Sequence, residues 1–268
     1  IHERLVGSEM CIRDRMNMSE SNKRNFIVHG SILAIAGILV RIIGMLYRIP
    51  VVNIIGSEGN GIYGAAFNIY NIMLVLSSYG LPMAVSKLVS ARFTKKRYKS
   101  AAKVLRCSLM VAVCTGGIAA LLVFFGASFI ENVIYGGGLP GLAVPLRILA
   151  PTIFLVAILG VIRGFFQGQS TMIPTAVSQI LEQIVNAIVS IAAGYGMMKA
   201  FASSPDVAAY GAAGSTLGTA MGALTAVLFM GFLYAVYTPT FNRLKRKDRH
   251  TENQSTGQIC KIIICLLY

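Results

Sequence analysis

Long apolar stretches separated by short charged or glycine-containing segments form the main pattern of this 268-residue chain. Each stretch has about the 20 residues that an α-helix needs to cross the roughly 30 Å hydrocarbon layer of a membrane. The pattern therefore predicts an all-α polytopic membrane protein, folded as a six-transmembrane-helix bundle. The predicted spans are residues 27–52, 62–86, 105–127, 143–167, 174–198 and 211–237.

The segments at the two ends do not fit the bundle, which we place within residues 16–240. Residues 1–15 have scattered acidic positions and no apolar core, so we expect a non-native leader and not a signal peptide. Residues 241–261 are predicted to form a basic cytoplasmic linker. Residues 262–268 resemble the start of a seventh span that is cut short, so we expect the first half of a longer protein.

Composition supports a membrane location. The chain is 55% hydrophobic and 13% charged, whereas soluble domains carry roughly 25% charged residues. The net charge of +14 comes largely from two runs, with eight Lys and Arg at 87–106 and five at 243–249. Because both runs flank apolar spans, they indicate cytoplasmic loops and a cytoplasmic N-terminus, with no nucleic-acid partner.

Metal and cofactor chemistry is not indicated by the cysteine and histidine pattern. The five cysteines form no C-x-x-C pair, and the three histidines are isolated in the sequence. We therefore expect no metal site, no disulfide framework and no cofactor.

Two arginines lie inside the first predicted span. Arg41 and Arg48 are seven residues apart, which places them on nearly one helix face, about 10 Å apart along the axis. Two guanidinium groups on one face suit a diphosphate, because each presents a planar fork of donors to phosphate oxygens. The alternative for Arg48, which precedes Pro50, is that its side chain reaches the membrane interface and has no ligand.

A polar stripe marks the fifth span. Gln179, Glu182, Gln183 and Asn186 follow the i, i+3, i+4, i+7 spacing of one helix face, and Arg163 on the fourth span is the expected partner of Glu182. Ionisable groups inside a membrane are costly, so they mark a functional site by default. Interhelical hydrogen bonding that only holds the bundle together is the alternative. Asn68 and Asn71 on the second span leave the same two alternatives open.

Glycines recur at every fourth residue in two spans. Gly160, Gly164 and Gly168 form one such stripe, and Gly214, Gly218 and Gly222 form the other. Glycine at this spacing lets neighbouring helix backbones approach closely. The stripes therefore indicate tight helix packing, or alternatively surfaces along which helices slide during a conformational cycle.

Several segments together resemble polysaccharide-biosynthesis flippases of the stage V sporulation protein B branch. That branch is related to the lipid II flippases within the multidrug/oligosaccharidyl-lipid/polysaccharide exporter superfamily. The resemblance covers about residues 27–240. It rests on VRIIG at 40–44, YRIP at 47–50, GIY at 61–63, NIY at 68–70, GLPMAVSK at 80–87, RGFFQG at 163–168 and PTAVSQILEQ at 174–183.

The resemblance implies one lobe of a two-lobe exporter in the bacterial inner membrane. Its central cavity would bind an undecaprenyl-type lipid-linked sugar diphosphate, a precursor of peptidoglycan or polysaccharide, and open to each membrane face in turn. Arg41 and Arg48 match family arginines thought to engage the diphosphate, and we add Asn68 and Asn71 as candidate substrate-binding residues. The implied partners are this lipid, membrane lipids and a missing C-terminal lobe.

Other functions remain open at this point. A cation-coupled drug exporter of the same superfamily needs a membrane carboxylate, and Glu182 is the candidate. A membrane-embedded enzyme or a scaffold of cell-envelope synthesis is the alternative from a different class. We expect a transporter and not an enzyme, because the predicted outer loops supply only Glu58, Glu131 and Asp206 as acids.

Overall fold

The computed structural model describes the backbone of residues 2–204, 206–248 and 256–267, with side chains from Ser31 onward except 256, 264, 266 and 267. The described residues are helical apart from turns, and they confirm the all-α class. A π-helical turn at Ile130–Ile134 extends the third helix. The helices are α1 (His2–Ser77), α2 (Leu81–Thr94), α3 (Tyr98–Phe129), α4 (Ala143–Gly168), α5 (Ile173–Ala200), α6 (Val207–Lys247) and α7 (Thr256–Leu267).

Helix α1 reverses direction at one residue. Gly56 has φ of 72° and ψ of −176°, in a region that favours glycine. In a continuous helix, Tyr47 and Tyr63 would lie about 24 Å apart along the axis, yet their side chains interact. We therefore describe a first arm at 31–55 and a second arm at 57–77. The sequence predicted a loop over residues 53–61. In the structure this region is helical, and the chain turns at Gly56 alone through its positive φ.

The second predicted span consists of two helical pieces. The second arm ends at Ser77, and α2 begins at Leu81 with Pro82 in its first turn. This break brings Pro82 against the glycine stripe of α4. A Cβ at Gly164 would lie 2.6 Å from the carbonyl oxygen of Pro82. The first glycine stripe is therefore the contact surface between α2 and α4.

The second glycine stripe packs α6 against α5. A Cβ at Gly218 would lie 2.6 Å from the carbonyl oxygen of Asn186, and one at Gly222 would lie 2.7 Å from that of Glu182. The hydroxyl of Ser190 also donates a 2.8 Å hydrogen bond to the carbonyl oxygen of Ser215 on α6. The packing interpretation of both stripes is confirmed, and sliding stays a prediction.

Both basic runs lie at one end of the bundle. Asp248, at the end of α6, accepts a 2.9 Å hydrogen bond from the backbone N–H of Lys99 in the first turn of α3. Two turns earlier on α6, the buried Phe241 stacks on Phe93 of α2 at 6.2 Å between ring centroids and contacts Phe165 of α4 at 5.4 Å. These contacts fix the end of α6 against the α2–α3 turn.

The predicted boundary at residue 240 lies inside a helix. Helix α6 continues to Lys247, because Phe241 is only 1% exposed and belongs to an aromatic cluster with α2 and α4. Helix α7 begins at Thr256, before the predicted start of a seventh span at 262, and Ile259 and Ile263 are fully buried against α2 and α3. The leader assignment for residues 1–15 concerns side chains outside the described set.

The described helices are long and apolar enough to span a membrane. Five stretches meet this condition: Ser31–Thr94, Tyr98–Ile134, Ala143–Gly168, Ile173–Ala200 and Val207–Lys247. The first of them contains the reversal at Gly56 and thus contributes two arms. Many large apolar side chains point outward, as Phe125 does at 77% exposure. An outer surface of this kind is expected in lipid, and the chain is a multi-pass membrane protein.

Candidate functional site

Arg41 and Arg48 lie exposed on the first arm of α1. Counted from the reversal at Gly56, Arg48 lies about 12 Å and Arg41 about 22 Å along the helix. Neither guanidinium group makes a hydrogen bond or an ion pair with a described residue, although Arg48 acts electrostatically on Tyr63. The surrounding outward-facing residues, including Ile42, Met45 and Ile49, are apolar. Two uncompensated positive charges therefore occupy an otherwise apolar helix face.

Asn68 and Asn71 are also exposed, on the second arm. Their side chains make no hydrogen bond with a described residue, so the alternative that they bond a neighbouring helix finds no support among those residues. The aromatic residues between and before them turn inward instead: Tyr63, Phe67 and Tyr70 pack ring against ring. The two asparagines and the two arginines thus remain available on the outward faces of one helical hairpin.

Arg163 and Glu182 form the expected ion pair between α4 and α5. Nη2 of Arg163 lies 2.8 Å from Oε2 of Glu182, and the side chains are 14% and 27% exposed. The Nε–H of Arg163 also donates to the hydroxyl of Ser178 at 3.0 Å. Ser178 in turn donates to the carbonyl oxygen of Thr175 at 2.8 Å. The predicted pairing is confirmed, and its charge is compensated within the lobe.

The polar stripe of α5 divides between two environments. Asn186 is buried and donates to the Tyr47 hydroxyl at 3.2 Å and to Oε1 of Gln183 at 3.0 Å. Its own Oδ1 accepts from Thr219 of α6 at 3.4 Å and lies 3.0 Å from the hydroxyl oxygen of Ser190. Asn186 therefore joins α1, α5 and α6, as the interhelical interpretation predicted for this residue.

Gln183 reaches the helix face that carries the arginines. Its Nε2 would lie 3.3 Å from a Cβ placed on Gly44. Gly44 lies three residues after Arg41 and four before Arg48, so all three share one side of the first arm. The structure therefore brings the stripe of α5 beside the arginine pair, a proximity that sequence spacing alone did not reveal.

A cavity of about 270 Å³ lies next to the ion pair, beside the break between α1 and α2. Gln179 contributes to its wall from α5, and Arg163 does so from α4. Sequence reasoning missed Gln167, which lies one turn beyond Arg163 on the same helix face. A search for polar residues four positions from Arg163 would have found it. The polar members of the wall are Ser78, Tyr79, Arg163, Gln167 and Gln179.

The acids outside the spans do not form a catalytic cluster in the part of the chain that the structure describes. Both oxygens of Glu131 accept backbone N–H groups, from Gly141 at 3.0 Å and from Ala143 at 2.7 Å, so this carboxylate holds the start of α4. Among the described residues no group of three or more His, Cys, Asp or Glu could hold a metal ion.

A multi-pass helical bundle with polar and charged groups on intramembrane faces defines a polytopic membrane protein in which those groups mark the candidate functional site. Comparison with known sequences makes this class more specific. The chain belongs to the polysaccharide biosynthesis protein family, whose model matches residues 27–257.

Two curated relatives come from Bacillus subtilis (strain 168). The chain is 34% identical to the lipid II flippase MurJ over 176 residues, which cover 63% of the chain and 32% of the relative. It is 30% identical to stage V sporulation protein B over 210 residues, which cover 78% of the chain and 39% of the relative. The chain therefore spans well under half the length of these relatives.

The fold resembles that of a solved transporter structure. The crystal structure of MATE in complex with MaD3S matches with a TM-score of 0.69 and 15% sequence identity. The match covers 88% of this chain and 52% of that one. At this identity the likeness concerns the fold alone.

Proposed function

We propose that the chain forms one lobe of a transporter that flips a polyprenyl-diphosphate-linked cell-wall or polysaccharide precursor by alternating access. Membership of the polysaccharide biosynthesis family and the relative named lipid II flippase support this function. The undecaprenyl form of the lipid, and a location in the bacterial inner membrane, are parts of the same proposal.

One observation carries the proposal: the uncompensated arginine pair on the first arm. An exposed intramembrane arginine is costly unless it meets an anion or a wet cavity. Arg163, by contrast, already has a carboxylate at 2.8 Å. Arg41 and Arg48, about 10 Å apart, are therefore the groups that remain to bind the charged part of a ligand. Asn68 and Asn71, exposed on the second arm of the same hairpin, are further candidates.

A second lobe completes the proposed transporter. The matched MATE structure is about twice the length that the chain covers, since the match takes 52% of it. A second helical lobe facing the hairpin of α1 would enclose Arg41, Arg48, Asn68 and Asn71 in a central cavity. That enclosure would remove the cost of exposing these groups to lipid.

The proposal is tested with arginine variants in the full-length protein. Arg41→Ala should abolish complementation of a strain that lacks its own flippase. Arg41→Lys keeps the charge but loses the bidentate fork, so it should retain partial activity. Arg48→Ala should reduce activity less than Arg41→Ala does, because the Arg48 side chain can also act as an anchor at the membrane interface.

Met45→Ala is the matched control, since Met45 is exposed on the same arm and carries no charge. Complementation by all variants is compared at equal membrane abundance. A second measurement, on the same variants, is the access of an external probe to the lipid-linked precursor. Full activity of Arg41→Ala at normal abundance would remove the support for the diphosphate role.

A cytoplasmic N-terminus is part of the proposal, supported by the two basic runs at one end of the bundle. Cysteine substituted for Glu58, next to the reversal, should react with an impermeant reagent added to intact cells. Cysteine substituted for Lys96, in the basic α2–α3 turn, should react only after permeabilisation. Labelling of the Lys96 position in intact cells would contradict the orientation.

The drug-exporter alternative depends on Glu182 as a free coupling carboxylate. Its Oε2 already accepts from Arg163. We therefore favour the lipid-linked precursor over a cation-coupled drug.

A further inference from the structure

The cavity beside the ion pair has more polar groups than the protein itself satisfies. The side-chain amides of Gln167 and Gln179 both line it, and neither makes a hydrogen bond with a described residue. Arg163 uses Nε and one hydrogen of Nη2, so its Nη1 donates to no described residue either. Polar groups within a membrane bundle need partners, and these three residues line one cavity.

The charge balance of the wall selects the kind of partner. The guanidinium of Arg163 is neutralised by Glu182 at 2.8 Å, and the remaining polar lining groups are amides and hydroxyls. An amide both donates and accepts hydrogen bonds. The cavity therefore suits a neutral ligand with several hydroxyl or amide groups, in contrast to the charged arginine pair on the first arm.

The volume and position of the cavity limit further which ligands it can bind. At about 270 Å³, the cavity lies just below the roughly 300–1,000 Å³ of common small-molecule pockets. It therefore has room for a single ring and not for a whole glycolipid. Ser78 also lines the cavity from the break that follows the second arm, and its hydroxyl lies 2.9 Å from that of Ser77. The apolar surfaces of Leu74 and Pro82 complete the wall.

The geometry assigns this cavity as a binding site for one sugar ring of the lipid-linked substrate, with Gln167 and Gln179 as its hydrogen-bonding residues. This inference rests on the proposed function. It separates recognition into two places: the arginine pair binds the diphosphate, and the intralobe cavity binds the saccharide.

The experiment compares two lipids that differ only in the sugar. A short-chain polyprenyl diphosphate and the same lipid carrying one N-acetylhexosamine are titrated against the purified full-length protein in nanodiscs. The wild type should bind the sugar-bearing lipid more tightly. Gln167→Leu and Gln179→Leu should each lose about three- to tenfold of affinity for that lipid, with unchanged affinity for the sugar-free lipid.

Gln169→Leu is the matched control, because Gln169 lies two residues from Gln167 but donates to the carbonyl oxygen of Phe165 and does not line the cavity. It should bind both lipids as the wild type does. Arg41→Ala should lower the affinity for both lipids by the same factor.

The outcomes separate the two claims. Equal wild-type affinity for both lipids, or equal losses on both lipids in the glutamine variants, would overturn the sugar site and leave the proposed function standing. Wild-type binding of neither lipid would overturn both. Weakened binding in Gln169→Leu that matches the other two variants would show a structural effect and overturn the assignment.

Discussion

Alanine in place of Gly218 tests how much the close contact between α5 and α6 contributes to the stability of the lobe. A Cβ there would lie 2.6 Å from the carbonyl oxygen of Asn186 and 2.6 Å from the backbone nitrogen of Ser190. The nearest atom of all is Oγ of Ser190, which can turn away only by giving up its hydrogen bond to the carbonyl oxygen of Ser215. The other two atoms belong to the backbone of α5 and cannot rotate away. To reach an ordinary contact of 3.4 Å with these two backbone atoms, α6 must move by about 0.8 Å.

The expected magnitude follows from two opposing effects. Overpacking of this kind costs about 1–3 kcal/mol, whereas alanine in place of glycine within a helix gains about 1 kcal/mol. Gly218→Ala should therefore lose about 0–2 kcal/mol of unfolding free energy. Gly231→Ala on the same helix is the control, since no heavy atom lies within 4 Å of its Cβ.

Thermal unfolding of the purified protein in detergent, followed by circular dichroism, measures the difference. Gly231→Ala should melt at or above the wild-type temperature. The two variants should differ by about 1–3 kcal/mol, which corresponds to about 3–10 °C. If both variants melt together, or if Gly218→Ala melts higher, the close approach of the two backbones is not a source of stability.

Three further substitutions have expected outcomes in the same melting assay. Glu182→Gln should cost about 1–3 kcal/mol, less than the 3–5 kcal/mol of a fully buried pair, because the carboxylate side chain is 27% exposed. Phe241→Ala should cost about 3–5 kcal/mol, since the ring is 1% exposed within its aromatic cluster. Asp248→Ala should cost about 1–2 kcal/mol, because the N–H of Lys99 loses a charged acceptor.

Each of these has its own check. Adding Arg163→Gln to Glu182→Gln should recover part of the loss, because the uncompensated guanidinium is removed; no recovery would mean that the ion pair is not the cause. Phe232→Ala, at an exposed position of α6, should melt close to the wild type, and an equal loss would contradict the role of the buried ring. Asp248→Asn should keep part of the stability that Asp248→Ala loses.

The sequence predicted which faces of each helix carry polar groups, because helical periodicity fixes angles along one chain segment. The expected partner of Glu182 was Arg163, and the structure confirms it. Periodicity does not tell which neighbour a face meets. Asn186 and Gln183 are three residues apart in one stripe, yet Asn186 is buried against Tyr47 and Thr219 while Gln183 borders the arginine face.

The ends of elements were harder to predict than their faces. The loop expected over residues 53–61 is a reversal at Gly56, since a single positive φ turns the chain without a loop. The segment expected to be a linker from residue 241 instead begins as a continuation of α6. The reason is that Phe241 packs against aromatic rings on α2 and α4, which are distant in sequence. The cavity wall at Gln167 depends in the same way on a break 85 residues earlier, next to Pro82.

The length of α6 has a mechanical consequence. At 1.5 Å per residue, its 41 residues would extend about 60 Å if straight, roughly twice the hydrocarbon thickness, and Pro239 lies within it. Its C-terminal end contacts α2 and the start of α3 through Phe241 and Asp248. Its middle packs closely against the backbone of α5 at Gly218 and Gly222. A sideways force on the chain beyond Lys247 is therefore passed through these contacts to α2, α3 and α5 as well as to α6 itself.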